Sequence, residues 1–273
     1  EKKQRKRNPA PPFITSTLQQ EASRKLGFST RRAMRIAQQL YEGIDTGDGP
    51  VGLLTYMRID SYTLAKAAVD EIRAVIVERY GKENLPDEPK VYKTKSKNAQ
   101  EAHEAIRPTS AARDPDSLKA ILNKDQLKLY DLIWKRTIAC QMVPATIDTV
   151  AAFLDCGKGN SFKANGSTIR DPGFISVYQE VVDDGAGMED DGKMLPPLAK
   201  GDEVDVNDIL GKQHFTEPPP RFTEASLVKA LEEHGIGRPS TYSAIISTLL
   251  DREYVTLESK RFYPTDTALV VNR

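Results

Sequence analysis

Tyr56 and Arg58 lie two residues apart in GLLTYMRIDS, residues 52–61. A phenol with an ordinary pKa near ~10 is a weak nucleophile at neutral pH. An arginine within reach stays protonated and can donate two hydrogen bonds to a phosphoryl oxygen, so this pair has the residue types for attack on phosphorus. Spacing alone does not separate that chemistry from an ordinary structural tyrosine. Two downstream segments also carry groups suited to phosphate. In AQEAHEAIRPT, residues 99–109, helical spacing predicts that His103 and Arg107 share one face and that Pro108 ends the helix. The plain alternative is a solvated helix in which Glu101, Glu104 and Arg107 face water. In GIGRPSTY, residues 235–242, two glycines permit close backbone approach, Arg238 offers a planar donor, and Ser240 and Thr241 place hydroxyls at a helix start. Simple capping would need those hydroxyls but not the Gly-x-Gly-Arg before them. Arg252, beside Asp251, either reaches a phosphate or pairs with that acid.

Other chemical-looking stretches carry less. GMEDDGK, residues 187–193, fits the first seven positions of a P-loop, but Met194 stands where Ser or Thr is required and three acids occupy the phosphate cradle. Asn165-Gly166-Ser167 reads as a turn between strands. His103, His214 and His234 are too far apart for an i,i+4 metal pair, so no protein-made zinc site is expected. Cys140 and Cys156 lack ligand spacing and are too few for a disulfide framework; packing is their expected role.

The elements that must position these groups divide by pattern. From Phe13 to Met142 the apolar spacing is helical. Ser16 or Thr17 is expected to cap a first helix that Gly27 stops, Thr30 to start a second, and Leu64 to Arg79 to form a third ended by Gly81; another runs through Leu127, Tyr130, Trp134 and Ile138. After Pro144, residues 146–154, 173–182 and 203–209 read as antiparallel strands around an acidic Gly-rich loop at 183–193. Pro218-Pro219-Pro220 reads as a stiff boundary. Thr223 then caps a short helix, Ser240 or Thr241 caps another, and a hairpin at 254–263 completes a helix-turn-helix with a wing.

The 39 Lys and Arg balance 39 Asp and Glu across 273 residues, so net charge gives no global pull toward nucleic acid and local patches must supply it. No apolar run approaches the ~20 residues needed to cross a bilayer, and EKKQRKR is not followed by a signal-peptide core. A cytoplasmic protein without a membrane partner is expected. The chain starts without Met and ends in mid-pattern, which reads as a central piece of a longer protein.

TYMRIDS, then AQEAHEAIRPT, then PPRFTEASLVKALEEHGIGRPSTYSAIISTLLDREYV, in this order and preceded by APPFITSTLQQEASRKLGFS, resembles the type IA DNA topoisomerase family of bacteria. The resemblance touches nearly the whole chain and is weakest in the β-rich middle. It implies a multidomain α and β fold. Residues 1–12 would lead in from an arch, 13–142 would form a helical domain bearing the tyrosine, 143–220 a β-rich arch or hinge, and 221–273 the start of a winged-helix-like helical segment. It also implies that Tyr56 is the nucleophile that links to a 5′-phosphate without ATP, and that Arg58 contacts the scissile phosphate. Thr55, His103, Arg107, Arg238, Ser240, Thr241 and Arg252 would line the path of single-stranded DNA, within a monomer that relaxes negatively supercoiled duplex. The family's Mg2+ is bound by an acidic Toprim domain that nothing in these residues matches, so the fragment alone is expected to be inactive. The family usually reads TYMRTDS, and Ile59 departs from it. The competing reading is a non-catalytic winged-helix DNA-binding module, which leaves GLLTYMRIDS unexplained.

Overall fold

The computed structural model describes residues 1–47, 49–93, 103–180 and 194–272. Four helices build the main core: α1 (Thr15–Leu26), α2 (Thr30–Glu42), α3 (Lys66–Tyr80) and α4 (Lys124–Ala139). Their apolar stripes meet through Leu18, Ala33, Leu40, Ile72, Ile76, Leu129, Ile133 and Trp134. Local signals set the ends. Gly27 sits in the left-handed region at φ 65° and stops α1, and Gly81 ends α3. Asn123 caps α4 by accepting from the Asp125 and Gln126 amides.

One expected start is displaced. Helix α1 begins at Thr15, two residues earlier than a Ser16 cap and three earlier than a Thr17 cap would give, with Ile14 as N-cap. The Thr17 hydroxyl accepts from the Ile14 amide at 3.0 Å, while Ser16 is buried in the first turn. Helix α2 starts at Thr30 as expected, with Ser29 capping it by accepting from the Arg32 amide at 3.2 Å. Between α2 and the Tyr56 segment lies a two-residue ladder of β2 (Ile44–Asp45) and β3 (Pro50–Val51).

Strand β1 (Lys2–Arg7) pairs antiparallel with β4 (Ala145–Asp155), which pairs with β5 (Ser161–Asp171), in the order β1-β4-β5. The register runs from Lys2 opposite Val150 to Arg7 opposite Ala145, so the basic run is an edge strand against the β-branched face of β4. The strand expected at 173–182 is not formed in its described part. Pro172 cannot donate to a ladder and Gly173 turns at φ 47°, so Gly173–Ser176 makes a 3₁₀ turn that carries Phe174 and Tyr178 back into the helical core. Residues 181–182 and the acidic loop at 183–193, with the rejected P-loop, lie outside the described residues. The strand expected at 203–209 is also absent: the whole run is exposed, and alternating Val204 and Val206 meet no apolar face.

The last segment follows its predicted outline. Thr223 caps α5 (Glu224–Glu233), accepting from the Ser226 amide at 3.1 Å. Helix α6 (Tyr242–Asp251), the hairpin of β6 (Val255–Glu258) and β7 (Arg261–Pro264), and α7 (Asp266–Val271) complete it. Val228, Tyr242, Ile246 and Phe262 form its small core. Helix α5 packs on α1 and α6 on α2, so this unit is seated against the main core. Cys140 is fully buried in the latter, and burial pushes its thiol up to about 12, as suits a packing role.

Candidate nucleophile site

The segment carrying Tyr56 is held by the residues around Arg107. The Thr55 amide donates to the Arg107 carbonyl at 2.9 Å, the Thr109 amide to the Leu53 carbonyl at 3.0 Å, and the Thr109 hydroxyl to the Gly52 carbonyl at 2.7 Å. The Thr55 hydroxyl donates to the Ala105 carbonyl at 2.7 Å and accepts from the Arg107 amide at 2.9 Å. The helix expected through His103 and Arg107 is therefore absent from its described part. Ile106 bridges to Phe13 and Pro108 to Leu54, and these ladder contacts override the helical propensity of the local sequence. Residues 99–102 of that segment, Glu101 included, lie outside the described residues. Gly52 is needed where it stands: a Cβ there would come within 2.9 Å of the Tyr41 carbonyl oxygen.

On the far side of Tyr56 the chain is clasped by α1. The Thr15 hydroxyl is 2.8 Å from the Met57 carbonyl and 3.0 Å from that of Ile59, and it accepts from the Ile59 amide at 2.8 Å. The Thr15 amide donates to the Ile59 carbonyl at 2.9 Å. Leu53, Leu54, Met57 and Ile59 are buried, so the backbone is pinned before and after residue 56. Tyr56, in contrast, is 40% exposed.

Helix α2 supplies the floor. The ring of Tyr41 meets that of Tyr56 edge-on, with centroids 5.5 Å apart at 67°. Gln38 Oε1 accepts from Arg58 Nη1 at 2.9 Å, and the Gln38 amide nitrogen in turn donates to Glu42. Among the described residues no carboxylate pairs with Arg58, so a neutral amide orients a guanidinium whose charge stays uncompensated. A phenol and an arginine presented this way can receive a phosphodiester.

The remaining predicted residues fall into two groups. Arg107 is engaged locally, its Nε 2.5 Å from Glu104 and its Nη1 2.9 Å from the Pro108 carbonyl; His103 beside it is exposed. Arg238, Ser240, Thr241 and Arg252 are exposed on the α5–α6 unit. Thr241 does not cap α6 with its side chain. Its hydroxyl accepts from the Arg238 amide at 2.8 Å and closes the turn, with Gly235 and Gly237 at φ 69° and 79°. A Cβ at Gly237 would sit 2.8 Å from Ile245 Cδ1. Asp60, four residues after Tyr56, acts electrostatically on the α5–α6 unit. Burial is the main cause that raises Glu232 of α5 and Tyr242 of α6 above their ordinary values, and the Asp60 carboxylate adds to both.

Sequence reasoning missed Thr15, Gln38 and Tyr41. The signal for Gln38 and Tyr41 was their placement with Glu42 on the last turns of an amphipathic helix just before GLLTYMR. Thr15 had no local signal, since its partners are main-chain atoms more than forty residues away.

A sequence model described as DNA topoisomerase matches residues 1–273. The chain is 56% identical over 273 residues to DNA topoisomerase 1 of Xylella fastidiosa and 58% identical over 272 residues to that of Rickettsia felis. Each comparison covers 99% of this chain but only 34% and 35% of the relative, so the chain spans about a third of their length. Full-length topoisomerase I from Thermotoga maritima superposes with a TM-score of 0.83 at 38% identity, covering 99% of this chain and 43% of that one. A match over every residue, close relatives that agree in name, and a shared fold together show that this chain belongs to the type IA DNA topoisomerase family.

Proposed function

We propose that this chain is the nucleophile-bearing part of an enzyme that cuts and rejoins one DNA strand. The observation that carries the reading is the presentation of Tyr56: an exposed phenol on a backbone pinned at both sides, its ring against Tyr41 of α2, with Arg58 held to the same helix by Gln38. The Tyr56 oxygen attacks the phosphorus of a single-stranded phosphodiester. The bond to the 3′ oxygen breaks, a bond from phosphorus to the phenolic oxygen forms, and the proton given up by tyrosine ends on the released 3′-hydroxyl. One phosphoester replaces another, so the step reverses without ATP. Arg58 stabilises charge on the phosphoryl oxygens, and Arg238, Ser240, Thr241, His103 and Arg252 guide the strand. Passage of a second strand through the break relaxes negative supercoils.

Among the described residues no group of three or more His, Cys, Asp or Glu is arranged to hold a metal ion, and no step above is routed through one. In this reading Mg2+ is held by Toprim carboxylates supplied from elsewhere in a longer protein, and the 273 residues alone neither cut nor relax DNA.

The test joins this chain to a Toprim segment of the family in one polypeptide and assays covalent 5′-linked DNA on supercoiled substrate. The wild-type sequence is expected to form the adduct and Tyr56→Phe to abolish it. Equal adduct in both sinks the nucleophile assignment. No adduct in either, with duplex binding unchanged by Tyr56→Phe, supports the winged-helix binding module instead.

A further inference from the structure

Two adjacent residues on the first turn of α1 face in different directions and touch different parts of the molecule. Thr15 holds the Tyr56 loop through three hydroxyl contacts and one amide bond, all to main-chain atoms of Met57 and Ile59. Ser16 donates to Glu232 Oε1 of α5 at 2.8 Å. A second carboxylate of α5, Glu224, accepts from the Thr30 amide at the start of α2 at 2.6 Å. Helix α5 therefore grips both helices that support the nucleophile segment, α1 near its first turn and α2 at its N-terminus. The grip on α2 is favoured by the unsatisfied amides and positive end of that helix.

The turn that bears Thr15 and Ser16 is rigid, since both residues are buried, 0% and 2% exposed, and α1 is enclosed by α2, α4 and α5. A buried helical turn moves as a unit, because close-packed interiors do not deform continuously. Displacing α5 removes the Ser16 partner and opens this face of α1 to water, so the packing that fixes the turn is lost; the same turn carries the Thr15 clasp. We propose that Thr15 is a positioning residue for Tyr56 and that the Ser16–Glu232 contact couples its clasp to the docking of α5. The tyrosine is then held in place while the α5–α6 unit is seated and loosened when it lifts. The functional meaning of this coupling rests on the reading of Tyr56 as the nucleophile. The coupling itself is a property of the 273-residue chain.

The experiment places 3-fluorotyrosine at position 56 of this chain and records its 19F resonance, with far-UV circular dichroism to check folding. Thr15→Val is expected to shift and broaden the resonance, and Thr15→Ser, which keeps the hydroxyl, to leave it in place. Ser16→Ala and Glu232→Leu, which remove the donor and the acceptor of the contact, are expected to move it in the direction of Thr15→Val, although that hydrogen bond joins α1 to α5 and not to the Tyr56 loop. Ser110→Ala, which removes a hydroxyl donating to Glu71 on α3, serves as the control expected to leave the resonance unmoved. A resonance unmoved by Thr15→Val overturns the positioning role. One moved by Thr15→Val but by neither Ser16→Ala nor Glu232→Leu overturns the coupling. If Thr15→Val fails to fold, Ser16→Ala and Glu232→Leu still decide the coupling, and a displaced resonance in Thr15→Ser counts against the clasp. None of these readouts involves DNA, so failure here and absence of the Tyr56 adduct are separate results.

Discussion

Ile59 stands where the resemblance leads one to expect threonine, and its side chain is buried in the helical core at 4% exposure. Its amide and carbonyl are both bonded to Thr15, so the polar work at this position is done by the main chain. The side chain contributes packing. Ile59→Thr therefore exchanges buried methyl groups for a hydroxyl and is expected to cost about 1–2 kcal/mol of stability. Urea unfolding of the two forms measures this; an unchanged midpoint would show that the hydroxyl finds a partner inside. The residue types of Tyr56 and Arg58 marked the segment as a candidate site. Its support was not, because Thr15 and the residues 105–109 act through backbone atoms, and a bond to a distant carbonyl leaves no trace in side-chain spacing. The local sequence from His103 to Arg107 points the wrong way: helical spacing suggests a turn of helix, and bridges at Ile106 and Pro108 to distant residues override it.

Helix α1 illustrates the same contrast among the elements. Its stop at Gly27 is written locally, but its burial is tertiary and reaches polar positions. Gln19 is wholly buried, and neither its amide oxygen nor its nitrogen has a partner among the described residues. Leaving such a group unpaired is costly, so Gln19→Leu is expected to raise stability by about 1 kcal/mol or more, read as a higher unfolding midpoint. Helix α5 brings a pH dependence. Burial, then repulsion from Glu233 and Asp60, raises the Glu232 carboxyl, while the Ser16 hydrogen bond opposes the shift; Tyr62 and Tyr242 also feel its charge. A raised folded-state value means that the stabilisation is fully present below the ordinary carboxylate value and is lost as pH rises through the raised one. Docking of α5 is thus expected to be tighter at mildly acidic than at neutral pH. Hydrogen-exchange protection of α5, corrected for intrinsic rates, should show the trend, and Glu232→Gln should flatten it.

For the molecule as a whole, the joint between sheet and helical core is stiff. Among the described residues, the connections at 8–12, 143–144 and 172–173 cross it, and each carries proline: Pro9, Pro11 and Pro12, then Pro144, then Pro172. Gly173 is wedged into the joint, where a Cβ would lie 2.7 Å from the carbonyl oxygens of both Val143 and Pro144. Gly173→Ala combines that clash with a positive φ and is expected to destabilise the chain by about 1–3 kcal/mol, measurable by thermal unfolding. The repeated prolines could be read from the sequence. That they mark one joint could not, because it depends on β1 pairing with a strand far along the chain.

That pairing has a consequence for the order of events on the ribosome. Arg7 meets Ala145 and Lys2 meets Val150, so all four core helices are synthesised between the two halves of the ladder. At about 5–20 residues per second, the first strand waits roughly ten to thirty seconds for its partner to be made. An unpaired strand is a template for wrong pairing, and one made of Lys2, Lys3, Gln4, Arg5, Lys6 and Arg7 repels its own kind while it waits. The charges that give this strand its basic character thus act during synthesis as a guard against premature pairing.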